Sequence, residues 1–204
     1  MDDTRVDCWL AALVATPGLT SIRDPVEARR VHVDDALAAL PLVDRGPIVD
    51  VGSGGGSPGI PLAAARPELR VDLLEAAASK CAFLRRWARE FPNVSVACAR
   101  AEAYGWASGR DAYATAVARA LAPPPVAVEW CLPLVLPGGR LVLYVGEADE
   151  RRVAAVASKL GGRLAEVVPV TAARRRRLLV FDKLEPTPGP FPRRPGAARK
   201  RPLA

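Results

Sequence analysis

The chain has 204 residues, half of them hydrophobic, enough for one domain with a real core and a small extension. No apolar run reaches the length of a membrane span, and the start MDDTRVDCWL is acidic, which argues against a secretory signal. The formal charge of +7 is gathered at one end: from Arg174 to Ala204 ten Arg and Lys stand against two acids, so this end alone carries +8 and the other 173 residues together carry −1. That asymmetry favours a polyanion, nucleic acid above all, over a tail that only aids solubility. Cys8, Cys81, Cys98 and Cys131 form no CxxC pair and His32 is the only histidine, which argues against a metal site and predicts reduced, mostly buried thiols.

In chain order, helices are predicted over 4–15 and about 25–40, the second capped by Asp24 with Pro25 in its first turn. A strand follows at 47–51 and a helix from Ser57 to about Ala65. VDLLE is the second strand, SKCAFLRRWARE a helix, NVSVACA the third strand and AYATAVAR the fourth. PPPVAVEWCLPLVL reads as a helix opening on prolines, GGRLVLYVG as the fifth strand, and 149–160 as a helix. GGRLAEVVPV and RRRRLLVFDKL pair as a closing antiparallel hairpin. Apolar strands alternating with helices predict an α/β fold, a mostly parallel sheet with helices on both faces. Residues 185–204 are rich in Pro, Gly and Arg and read as an extended arm. The expected organisation is a helical segment over 1–45, the α/β domain over 46–184 and the basic arm over 185–204.

The stretch IVDVGSGGGSPGIPLA, from Ile48 to Ala63, is a strand, a glycine turn and a helix start. Ligands of open parallel sheets bind at such strand ends. Gly52, Gly54 and Gly56 give G-x-G-x-G, while Gly54, Gly56 and Gly59 give the dinucleotide spacing, so the bare pattern fits a nicotinamide or flavin cofactor or S-adenosylmethionine. Pro58 and Pro61 lack the N–H groups that a pyrophosphate needs at a helix start, which favours S-adenosylmethionine. Glu75 ends the second strand about twenty residues on, where a carboxylate accepts ribose hydroxyls. Ala101 and Glu102, after the third strand, stand where an adenine edge would lie.

Several stretches together resemble the bacterial 16S rRNA guanine-N7 methyltransferases, the RsmG (GidB) family: GLTSIRDPVEARRVHVDDAL, DVGSGGGSPGIPLA, LLEAAASKCAFLRR, RAEAYG, VARALAP and TPGPFPRRPGAARKRPL. The resemblance covers roughly 18–147 and 187–203. It implies a class I, Rossmann-like S-adenosylmethionine-dependent methyltransferase fold over 46–184 and methylation of 16S rRNA or the small ribosomal subunit. A cytoplasmic monomer with no membrane and no metal is the matching expectation. By position it implies cofactor contacts at Gly52, Ser57, Ala101, Glu102 and Arg119, with Gly54, Gly56 and Glu75 in the same pocket by the argument above. The chain departs from the family pattern at Ala36 (usually Ser), Ser57 (usually a larger apolar residue), Ala118 (Ser) and Leu121 (Phe). Val145 stands where the family usually has Lys.

Guanine N7 carries a lone pair and no proton, so no general base is required, in keeping with the lack of an evident acid–base dyad. Arg119 is the candidate catalytic residue, its planar fork suited to the base or to the cofactor carboxylate. Arg193, Arg194, Arg199 and Arg201 are the candidate RNA contacts, and Arg174–Arg177 reach phosphates or form a solvated edge. The alternatives are a diverged methyltransferase acting on another RNA or a small molecule, a nicotinamide-dependent oxidoreductase, and an RNA-binding protein that retains only the fold.

Overall fold

A computed structural model describes residues 3–170 and 176–204. Arg174 and Arg175, which open the last predicted strand, lie outside the described residues.

A seven-stranded sheet runs in the order β3-β2-β1-β4-β5-β7-β6. β1 (Ile48–Val51), β2 (Val71–Glu75), β3 (Val94–Cys98), β4 (Tyr113–Arg119) and β5 (Val135–Val145) are parallel. β6 (Gly162–Pro169) and β7 (Arg177–Lys183) close the edge antiparallel, as the hairpin predicted. Burial on both faces explains why the central strands read as unbroken apolar runs. Ile48, Leu73, Val117 and Val142 face one core, which includes α1 (Asp3–Ala15), α4 (Gly59–Ala65) and α5 (Ala78–Ala88). Val49, Val51, Ala116, Ala118, Leu141 and Leu143 face the other, under α7 (Pro124–Cys131) and α8 (Glu150–Lys159). The chain order reverses between β1 and β4, which opens a crevice at their carboxyl ends.

Three elements differ from the expectation. The helix predicted over 25–40 is broken into α2 (Pro25–Arg29), a π turn over Arg30–Asp34, α3 (Asp35–Leu37) and a 3-10 turn over Leu40–Leu42. Its start is as predicted, the Asp24 carboxylate accepting from the Glu27 N–H at 2.8 Å. The helix predicted through Leu136 ends at Cys131, because Pro133 has no N–H to continue it; a 3-10 turn over Leu132–Leu134 leads directly into β5. The segment after Glu185 does not stand off as an extended arm but folds back on the body and ends in a single turn, α9 (Ala197–Lys200). Ion pairs and hydrogen bonds to backbone carbonyls hold it, so its low apolar content was a poor guide.

Cys81 on α5 and Cys98 at the end of β3 are joined in a disulfide, their Cα atoms 5.9 Å apart. This corrects the expectation of reduced thiols for that pair. Cys8, exposed, and Cys131, buried, are free.

Candidate active site

The turn after β1 needs its glycines. Gly52, Gly54 and Gly56 have φ of +73°, +58° and +102°, a backbone that L side chains resist. A Cβ on Gly52 would lie 2.4 Å from Leu121 Cδ1, whereas one on Gly54 would meet only the Gly52 carbonyl at 3.9 Å, so Gly54 leaves room for a ligand against the backbone. Gly56 turns inward, its absent Cβ 2.5 Å from Ile60 Cδ1, and so shapes the turn from beneath. Trp9 of α1 supports the same turn, donating from Nε1 to the Gly55 carbonyl at 2.9 Å.

Glu75 stands at the end of β2 as the spacing required. Oε2 accepts from the Gly54 N–H at 2.9 Å, and Oε1 accepts from the Ala76 and Ala77 N–H groups, each at 2.8 Å. Three backbone donors thus fix the carboxylate, which keeps acceptor capacity for ribose hydroxyls. Beside it lie Ala101 and Glu102, on the short α6 (Ala101–Tyr104), with Lys80 and Leu121. The open cradle at Gly54 and the braced carboxylate at Glu75 fit an adenosine-bearing cofactor.

The groove continues past Gly52, Ser53, Gly54 and Ser57 to Arg119 and His32, and opens into a cleft of about 530 Å³ lined by Thr20, Ser21, His32, Arg119, Tyr144, Val145 and Arg176 among others. That volume suits a small-molecule or single-base site. Ser57 donates to the His32 carbonyl at 2.7 Å, tying the glycine turn to the π segment. Arg119, at the end of β4, donates to the Val31 carbonyl and, from its other terminal nitrogen, to His32 Nδ1 at 3.0 Å. Guanidinium only donates, so Nδ1 is the acceptor and the His32 proton sits on Nε2, 2.9 Å from Thr20 Oγ1. Burial, then the charges of Arg119 and Arg176, lower the His32 pKa to about 4, so the ring is neutral. The sequence reading gave His32 no firm role; here it orients Arg119.

Two further features were not legible in the sequence. Asp35, fully buried, binds Arg176 at 2.5 Å across 141 residues of chain, bringing a second cation to the cleft. Ala120 lines every stretch of the groove with φ +53°, an uncommon conformation for a residue with a Cβ. Beneath the turn, buried Asp50 accepts from the Gly59 N–H at 2.9 Å, and burial raises its pKa to about 7.

The tail arginines separate. Arg193 makes a two-pronged ion pair with buried Glu129, at 2.6 Å in both contacts. Arg194 and Arg201 are exposed. Arg199 lies over the Trp130 ring, 5.2 Å from its centroid, at the end of the groove that holds Glu75 and Glu102.

The chain matches the family described as rRNA small subunit methyltransferase G (GidB) over residues 9–180. It belongs to that family. Ribosomal RNA small subunit methyltransferase G of Rubrobacter xylanophilus is 41% identical over 197 residues, 89% of this chain and 75% of that one. The protein of the same name from Roseiflexus sp. strain RS-1 is 39% identical over 209 residues, 98% and 89% of the two chains. Among solved structures, mitomycin 7-O-methyltransferase MmcR superposes with TM-score 0.62 at 16% identity, over 85% of this chain and 60% of that one. An O-methyltransferase from neocarzinostatin biosynthesis, in complex with S-adenosylmethionine, superposes with TM-score 0.57 at 15% identity, over 72% and 50%. These likenesses establish the class I methyltransferase fold. As a member of the methyltransferase G family, the chain is an S-adenosylmethionine-dependent rRNA methyltransferase, and the nicotinamide alternative is set aside.

Proposed function

We propose that the chain methylates N7 of a guanine in 16S rRNA, within the small ribosomal subunit or its RNA. The observation that carries this is the make-up of the acceptor cleft. Among the described residues its polar side chains are Thr20, Ser21, His32, Arg119, Tyr144 and Arg176, with no carboxylate, and both nitrogens of neutral His32 are already engaged. The carboxylates of the groove, Glu75 and Glu102, lie at its adenosine end. An exocyclic amine or a hydroxyl must lose a proton on methylation and needs a base. Guanine N7 offers a lone pair with no proton to remove, and its neighbouring O6 accepts hydrogen bonds.

S-adenosylmethionine, when bound, supplies an electrophilic methyl group. Gly54 and Glu75 hold the adenosine half, and Ser57 and Arg119 border the other half. Arg119, kept in place by Val31 and His32, orients the incoming base, so that the rate comes from alignment and exclusion of water. Arg176, held by its pair with Asp35, places a guanidinium in the same cleft as Val145. A base in this cleft has left its stack. Arg194 and Arg201 contact RNA phosphates. A ribosomal substrate sets the place of action in the cytoplasm, with the chain acting as a monomer.

The test is methyl transfer from labelled S-adenosylmethionine to small subunits lacking the mark, with nucleoside mass spectrometry of the product. The expected product is 7-methylguanosine, and Arg119→Ala is expected to reduce turnover about 100-fold or more without loss of fold, the scale of a misaligned reaction. A methylated amine or hydroxyl would overturn the assignment. Cofactor binding without transfer would favour a relative with another acceptor, the reading that Val145 supports.

A further inference from the structure

The last residues of the chain pack where a substrate-binding arm was expected to be free. Trp106 Nε1 donates to the Pro192 carbonyl at 2.6 Å, and the guanidinium of Arg110 donates to the Phe191 and Thr187 carbonyls at 2.5 and 2.7 Å. The Arg193–Glu129 pair follows, with Glu129 only 1% exposed, and Arg193 also donates to the Arg201 carbonyl at 2.8 Å. Between those residues the chain passes over the adenosine end of the groove. The Gly196 N–H donates to Glu102 Oε1 at 3.0 Å, and Ala198 is buried against Val126 and Trp130. A carboxylate that lines the cofactor cleft is therefore oriented by the tail. Arg199 completes the arrangement: one face of its guanidinium covers Trp130, and its side chain lines the same cleft as Glu75, Ala101 and Glu102.

We propose that residues 193–201 form the outer wall of the cofactor site and that Arg199 binds the adenine ring of S-adenosylmethionine, its guanidinium stacked between the base and Trp130. The inference rests on the reading of this groove as the cofactor site. Adenine is the one flat π surface of that cofactor, and a planar, weakly hydrated cation with an aromatic behind it is suited to stack on it. Lysine has the charge but not the plane. The Arg193–Glu129 and Gly196–Glu102 contacts are the two latches that keep the wall in place. Arg199 then serves the cofactor, not the RNA phosphates, and the basic end of the chain divides between two ligands.

The experiment is calorimetry of the full-length protein with S-adenosylhomocysteine and, separately, with adenosine. Arg199→Ala is expected to weaken both about 10-fold, in keeping with the loss of one stacked base, with an unchanged melting temperature because the side chain is exposed. Arg199→Lys is expected to weaken both nearly as much; it also stands in should the alanine variant fail to fold. Binding by either folded variant within about twofold of the parent would overturn the proposal. A parent chain that binds neither ligand would overturn the reading of the groove itself, which is a distinct result.

Discussion

His32, at the groove, and Asp50, buried beneath the glycine turn, are two titratable side chains whose pH dependences run in opposite directions. The folded pKa of His32, about 4, lies below its ordinary 6.5, chiefly through burial. Between those values the unfolded chain binds more protons, so the stability contributed by neutral His32 is present above about pH 6.5 and lost as pH falls through about 4. Asp50 is the reverse. Burial lifts its folded pKa to about 7 from 3.8, so its contribution is full below about 3.8 and is lost as pH rises through about 7. Asp50→Asn removes only the second effect. With the His32 effect retained, its denaturation midpoint is expected to rise slightly from about pH 6 to about pH 8, where that of the parent declines. A variant that declines in parallel with the parent would assign the titration to another group.

At the scale of elements, what matters is which segments are brought together at the carboxyl ends of β1 and β4. The π turn over Arg30–Asp34 interrupts a sequence of good helical spacing, and it is the turn that carries Val31 and His32 to Arg119. The register of β2 and β3 sets Cys98 opposite Glu75, and α5 returns over the same strand end to place Cys81 beside it. The bridge therefore braces the strand that presents Glu75. Thiol titration of the denatured, unreduced chain is expected to find two groups, Cys8 and Cys131. Four reactive thiols would show that the pair is not bridged.

At the scale of the whole molecule, the charge asymmetry is rearranged by folding. Of the basic residues in the last stretch, Arg193 pairs with Glu129, Arg176 with Asp35 and Arg177 with Glu150. Arg194 and Arg201 remain exposed. Removing both as Arg194→Ala with Arg201→Ala is expected to lower the slope of log affinity against log salt by about 1.4, at roughly 0.7 for each single-stranded phosphate contact, with cofactor affinity unchanged. An unaltered slope would move the RNA surface away from the tail. Among the described residues no helix is long and apolar enough to cross a membrane, and no group of three or more His, Cys, Asp or Glu could hold a metal ion.

The sequence alone determined the alternation of strands and helices, the glycine turn after β1 and the carboxylate of Glu75 at the end of β2. Each of these is local: a period, a forbidden φ or a fixed spacing along the chain. The prolines at 58 and 61 could also be weighed there, because a missing N–H needs no partner to be recognised. Only the tertiary structure decided the rest. The Arg119–His32–Thr20 chain, the Arg176–Asp35 pair, the Cys81–Cys98 bridge and the return of Arg199 over Trp130 join residues that the order of strands and the path of loops bring together. Long-range electrostatics and hydrogen bonding have no period in the sequence, so a basic tail read as free turns out to be part of the wall of the groove.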